Sequence, residues 1–557
     1  MRRAALGLGW LGGFLVGMAL LNAPAEGEDA LSYLDQGWDQ NLRNQFYFTP
    51  QGSRLIPADW FLALETTDDS ILFSARENLQ RYGFIYAEGN SDLNPHNLPI
   101  GFALDRQSLP EGGVSLGLTC AACHTADVMV GGKRIRIDGG PANLDFDSFY
   151  AELDEAVHRT FYNKKAFARF AARVIRQPTP EKIQALRARF AEFQTLLAGE
   201  SVMRAPAHRS GYGRVDALTQ IINSLAVVDQ KDPANLVAPD APTSYPHLWL
   251  TPQLEFVQWN PIAASPIGRN GGEVLGVFGT AQLHGSEPQR YESSLLIKEL
   301  GLLEQWVERL QPPKWDERLL GPINRELAAT GKTLFDRHCS VCHNAPPYRY
   351  TDPAKNLFGK KFLEIGRVNF RTVGTDPLYV QALLERTVRT NSATSEANGG
   401  QTIVPALEFF LNAVTPVVER AMNEAQLTPQ ERIVLNGFRL RPPAGPNQKP
   451  QGYSPPNFDD LKAGPLAGIW ATGPYLHNGS VPTIDDLLKP ADKRPVEFWT
   501  GFRELDREKL GFVSTSAPGR FKLDTNMPGN GKQGHEYPKP PLNPDERKAL
   551  IEFLKTL

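Results

Sequence analysis

The stretch Leu118-Thr119-Cys120-Ala121-Ala122-Cys123-His124-Thr125 decides how this chain is read, and Cys339-Ser340-Val341-Cys342-His343 repeats its pattern. Both are C-x-x-C-H units, and together they use all 4 cysteines of the 557 residues. The pattern reads as covalent attachment of a c-type haem. Cysteines at i and i+3 lie on one side of a helical turn and form thioethers to the two haem vinyl groups. The adjoining histidine is then held beneath the ring as an axial ligand to iron. A zinc site would want both units together, whereas they stand far apart in the chain and a histidine follows each. A thioredoxin-like pair would sit near a βαβ pattern, which is missing. The expectation is two covalent haems, attached at Cys120 and Cys123 and at Cys339 and Cys342, with His124 and His343 as iron ligands.

Working outward, composition narrows the class. At about 150 residues per domain the length corresponds to roughly three or four domains' worth of chain. A formal charge of −3 excludes the basic bias that nonspecific nucleic-acid binding needs. Mean hydropathy of −0.34 and no later apolar run near ~18–20 residues exclude a polytopic membrane protein. Residues 1–25 carry Arg2 and Arg3, then an apolar stretch from Ala4 to Leu21, then Ala23-Pro24-Ala25. That is the layout of a secretory signal, with an uncleaved anchor as the alternative. Cleavage removes two arginines and no acid, so the mature chain becomes more acidic. The protein is expected in the periplasm or outside the cell, with no membrane span after cleavage. In that oxidising space four idle thiols would be a liability, and haem attachment gives each of them a fate.

Helix punctuation recurs along the chain and strand alternation is scarce. Thr179-Pro180 starts a helix whose stripe is Ile183, Leu186, Phe190, Phe193 and Leu197, with Gly199 as its expected end. Thr428-Pro429 with Glu431 is a capping box. Asn543-Pro544 opens a terminal helix striped by Leu550, Phe553, Leu554 and Leu557. Residues 441–456 hold six prolines, which disfavours regular structure there. The expected fold is mainly α with long irregular loops: two c-type cytochrome domains, each carrying one covalent haem, with large extensions. The expected boundaries are residues 26–320 for the N-terminal haem domain and 321–557 for the C-terminal one.

Several longer stretches sharpen this. FTPQGSRLIPADWFLALE (residues 48–65), LTCAACHT (118–125), RIDGGPANLDFDSFY (136–150), QWNPIAASPIGRNGGEVLGVFG (258–279) and GIWATGPYLHNGSVPTIDDLL (468–488) resemble the di-haem cytochrome c peroxidase superfamily. Within it they look most like the branch of the di-haem rubber oxygenases and their relatives. The resemblance implies that the N-terminal haem is reactive towards hydrogen peroxide or dioxygen. The C-terminal haem would relay or store electrons, exchanged with a small redox protein.

It also implies roles for particular residues. Trp259 would lie between the haems, and Glu273, with Arg269 nearby, would line the reactive pocket as an acid–base group on peroxide. The alternative reading makes Trp259 a core residue and pairs Glu273 with Arg269. For the C-terminal haem, His535 matches the distal histidine of the rubber-oxygenase branch, and Met527 is the rival. For the N-terminal haem no sixth ligand declares itself, and His96 reads as a solvated loop residue. His477 in PYLHNGS reads as a hydrogen-bonded loop histidine near a haem edge. Relatives carry calcium between the haems, but no EF-hand loop appears here. The rubber-oxygenase pocket is more apolar, so a glutamate leans away from rubber cleavage. A peroxidase-like oxidoreductase is the first expectation. A dioxygenase acting on an apolar polyene and a plain electron-transfer cytochrome are the alternatives.

Overall fold

The computed structural model describes residues 31–557 apart from 69–70, 90, 107–112, 442–450 and 453–456. The signal read at residues 1–25 and most of the proline-rich stretch lie outside the described residues. Strand β1 (Leu31–Tyr33) leads into helix α1 (Gln40–Phe48), whose N-terminus is capped by the Asp39 side chain. Three short strands, β2 (Ile56–Pro57), β3 (Phe102–Asp105) and β4 (Ser115–Leu118), make an antiparallel sheet in the order β2-β4-β3. Strand β4 runs almost directly into helix α2 (Cys120–Cys123), which holds the first cysteine pair. The hairpin of β5 (Thr125–Val130) and β6 (Lys133–Asp138) follows, and β1 adds to it in parallel with Leu31 opposite Arg134.

The first attachment turn is therefore held between two three-stranded sheets. Gly101, at φ +90°, touches it from behind: a Cβ there would overlap the Ala122 backbone. Only glycine adopts that conformation cheaply while letting two backbones approach so closely. The charges buried here are paired, Arg136 with Asp127 at 2.5 Å and Arg43 with Asp138 at 2.6 Å.

Helices α3 (Phe146–Tyr162) and α4 (Pro180–Arg204) close an aromatic core in which Phe190 lies 5.2 Å from Trp60 and 4.7 Å from Phe170. Helix α4 starts as expected, with Thr179 accepting from the Lys182 N–H, but it does not stop at Gly199. Beyond the glycine, Met203 is buried and Arg204 donates to the Gly276 carbonyl at 2.8 Å. That anchoring outweighs the roughly 1 kcal/mol that a helical glycine costs. Ile183, placed on the apolar stripe by its spacing, is exposed.

Next come α5 (Ala217–Asn223), continued by a π-helical turn over Ser224–Asp229, then α6 (Pro266–Gly276) and α7 (Ile297–Arg309). The C-terminal part contains α8 (Arg325–His338), β7 (Gly366–Asn369), α9 (Ala406–Glu424), β8 (Asp460–Ala463) and α10 (Pro544–Leu554). Among the described residues there are eight sheets, each of two or three strands. The strand content exceeds the sequence expectation because so many strands are too short to show alternation.

Helices α8 and α10 cross tightly. Phe335 packs on Phe553 at 5.1 Å, and a Cβ on Gly331 would overlap the Ala549 carbonyl. Burying Leu550 and Leu554 adds about 1.5–3 kcal/mol each. Gly331→Ala should lower the stability of the holoprotein by about 1–3 kcal/mol in thermal or denaturant unfolding. The clash is with rigid backbone, so it outweighs the ~1 kcal/mol gain in helix propensity. An unchanged or raised midpoint would show that this crossing is looser than described. The larger hydrophobic core runs from Leu34 to Leu557 and draws on both parts of the chain, while a second core lies wholly within residues 55–278.

Candidate functional site

At the first turn, Thr119 caps α2 by accepting from the Ala121 N–H, so Cys120 and Cys123 sit one helical turn apart. His124 ends the turn, and its Nδ1 lies 2.7 Å from the Pro246 carbonyl oxygen. A carbonyl accepts only from a protonated ring nitrogen, which leaves Nε2 as the free lone pair for a metal. Burial pushes this imidazole down to about 4, so it is neutral at pH 7, the form that binds iron. The Cys120 thiol lies 3.3 Å from Gln51 Oε1.

The second site reaches the same arrangement differently. Helix α8 ends at His338, and Cys339 to His343 form a hydrogen-bonded turn in which Cys342 and His343 both donate N–H to the Cys339 carbonyl. His343 Nδ1 lies 3.0 Å from the Gly464 carbonyl oxygen, again freeing Nε2. His535 faces it, with ring centroids 6.1 Å apart. That separation leaves room for one metal ion, which the two rings would hold between them. His535 Nδ1 is buried with no protein partner, and burial pushes this ring down to about 4. Its backbone sits at φ +49°, and its N–H donates to the Val373 carbonyl. Met527 lies in a turn bonded to Asp524 and Asn530.

The residues fit two haems. Four cysteines are unbridged, both histidines are oriented by backbone carbonyls, and several buried polar atoms have no protein partner. Those atoms include Ser244 Oγ, His477 Nδ1, Asn260 Nδ2 and two nitrogens of Arg214. Arg214 keeps one bond, from its Nη2 to Asn530 Oδ1, but buried donors left unmet are costly, and a polar-edged prosthetic group would meet them. Among the described residues no group of three or more His, Cys, Asp or Glu side chains is arranged to hold a free metal ion.

Trp259 ties the two turns together. Its indole N–H donates to the Ser244 carbonyl at 3.1 Å, two residues before the carbonyl that orients His124. Its own carbonyl accepts from the Lys462 N–H at 2.8 Å, two residues before the carbonyl that orients His343. Glu273 lies on α6 and accepts from Gln258 Nε2 at 2.7 Å. Burial raises its carboxyl pKa, and its charge pushes the Cys120 and Cys123 thiols further up, which places it beside the first turn. Arg269 pairs with Glu304 at 2.5 Å rather than with Glu273. His96 is exposed in a turn. His477 is buried, with its carbonyl accepting from the Ser244 N–H, but its Nδ1 has no partner.

Gln51, Gln258, Glu304 and Lys462 were not singled out from the sequence. Gln51 lies inside the family-like stretch 48–65, which is the one signal that pointed towards it. Lys462 is an interior lysine with no acid partner among the described residues, lowered to about 8 by burial and by Arg269.

The two C-x-x-C-H turns and the facing histidines suit a cytochrome c-like protein. Residues 461–500 match the family described as RoxA-like, cytochrome c-like, a segment that includes Lys462, Gly464 and His477. This match supports a haem-containing oxidoreductase of the rubber-oxygenase-like cytochrome branch. The chain belongs to the same family as the uncharacterized protein y4iJ of Sinorhizobium fredii, to which it is 33% identical over 95% of this chain and 94% of that protein. It is also 25% identical, over 56% of its length and 64% of the relative's, to the uncharacterized protein y4iM of the same organism.

Proposed function

We propose that the protein is an exported di-haem c-type oxidoreductase in which the two sites divide the work. The observation that carries this is their asymmetry. His343 faces a second histidine, as a six-coordinate electron-transfer site requires. Among the described residues His124 has no such ring pairing; its aromatic neighbour is Tyr245 at 6.4 Å, and a half-buried carboxyl stands close to its turn. When attached, the haem supplies iron redox chemistry with peroxide or dioxygen. Glu273 accepts and returns a proton at the first site. Its burial favours the protonated form, and Gln258 fixes the carboxyl in place. Arg269, paired with Glu304, stiffens the same helix face, and its charge opposes part of the burial shift on Glu273. Trp259 lies on the hydrogen-bonded route between the sites and carries the electron path. Docking of a small redox protein and export to the periplasm complete this reading.

The RoxA-like match over 461–500 favours a second reading, a dioxygenase acting on an apolar polyene. Electron paramagnetic resonance and optical spectra of the purified protein, with and without peroxide, separate the readings. The proposal expects one low-spin iron and one that is high-spin or weakly ligated and responds to peroxide. A response to dioxygen and a polyene alone moves the assignment to the oxygenase. Two low-spin irons inert to all three leave a plain electron-transfer cytochrome. His535→Ala should convert the low-spin signal to high-spin while both haems stay attached. A spectrum unchanged by His535→Ala would assign that position to another ligand.

A further inference from the structure

We propose that the surface around the C-terminal haem-attachment turn docks a small redox protein with an acidic face, exchanging single electrons with the haem attached there. The proposal rests on the relay reading of that haem and adds the chemistry of its partner. Val341, between Cys339 and Cys342, is 79% exposed, and Tyr350 nearby is 50% exposed. An apolar side chain held out on the turn that carries the cofactor contributes little to the fold. It does give a partner a dry point of contact close to the ring, and electron tunnelling falls off exponentially with distance.

The rim around this apolar centre is basic. Arg349 donates to the Ser340 carbonyl at 2.9 Å, which seats its charge on the attachment turn. Arg337 occupies the last turn of α8, just before Cys339. Tyr350 bridges to Leu363 and the Thr351 N–H donates to the Phe362 carbonyl, so Lys361 lies on the segment paired with Tyr350, two residues from its partner, and Lys355 is in the intervening loop. Acids stand among these groups, with Glu364 3.6 Å from Arg349, Asp336 on Lys332 at 2.5 Å and Asp352 exposed in the loop, but the basic side chains outnumber them. Arg337, Lys355 and Lys361 are exposed with no carboxylate partner among the described residues. The patch is thus positive on a chain whose total charge is −3. An apolar centre with a charged rim is the layout of a transient interface, and the rim's sign selects an acidic partner by steering its approach.

The test uses the full holoprotein, pre-reduced, mixed by stopped flow with cupric plastocyanin (acidic) or ferric mitochondrial cytochrome c (basic). Each acceptor takes one electron as the ferrous C-terminal haem becomes ferric. The acidic acceptor should react faster, with a rate that falls about tenfold or more from low to high salt. The combined reversal Arg337→Glu, Lys355→Glu and Lys361→Glu should slow the acidic acceptor about tenfold and speed the basic one. Salt-independent rates, or a reversal with no effect on their ratio, would overturn the docking assignment alone. So would binding to phosphatidylglycerol vesicles that the reversal abolishes while both rates stay fixed, since the patch would then meet lipid. If neither acceptor oxidises the C-terminal haem in any variant, the relay reading itself fails.

Discussion

Glu273→Gln lowers peroxide turnover by about 10²–10⁴-fold and leaves both haems attached. That range is what a positioned proton carrier contributes when it moves a proton in the transition state. The substitution keeps shape and volume, and the Gln258 side chain can still donate to an amide oxygen at the same place. What disappears is the titratable proton. The half-buried carboxyl sits on α6, close enough for its charge to act on Cys120 and Cys123. Burial penalises its charged form, so its proton is held to higher pH than on an exposed glutamate. Arg269 is committed to Glu304 and does not cancel this effect by direct pairing. Steady-state peroxide consumption with a small-molecule reductant reads the effect, and haem content measured alongside separates chemistry from folding. A variant that turns over at the parental rate would remove Glu273 from the mechanism.

Replacing Cys339 and Cys342 together by alanine removes the C-terminal haem and leaves the N-terminal one. His343 and His535 remain, but two axial bonds alone hold a haem far less durably than two thioethers and a ligand on one turn. The loss also withdraws the group that would lie between these two rings. The spectrum should therefore lose its low-spin component and keep the peroxide-responsive one, at half the original haem content. Retention of two haems per chain would show that attachment does not run through these cysteines. If the double variant fails to accumulate, Cys342→Ala alone still gives a haem bound through one thioether, recognisable by its shifted optical band.

Local chemistry was legible and long-range pairing was not. The capping box at Thr428 and the helix start at Asn543 form as read, because each needs only groups three residues apart. Each C-x-x-C-H unit folds as a single turn for the same reason, since five consecutive residues set its geometry. Gly199 misled because the pull on α4 comes from Arg204 meeting the Gly276 carbonyl. The strands were missed because a two-residue partner such as Ile56 opposite Leu116 leaves no periodic trace. The His343–His535 pair joins residues far apart in the chain, and the resemblance, together with the glycine-rich loop before the terminal helix, pointed to it. Trp259 was also singled out by resemblance. Its bonds to Ser244 and Lys462, which link it to both histidine anchors, are visible only once the chain is folded. The pairing of Arg269 with Glu304 instead of Glu273 is of the same kind, since Glu304 comes from α7.

Intact-mass spectrometry of the purified mature protein, followed by peptide mapping, tests the central claim most directly. The account predicts two haem masses per chain, one on the peptide holding Cys120 and Cys123 and one on the peptide holding Cys339 and Cys342. Free thiols or a disulfide within either pair, or a chain carrying fewer than two haems after expression with haem-attachment machinery, would contradict it.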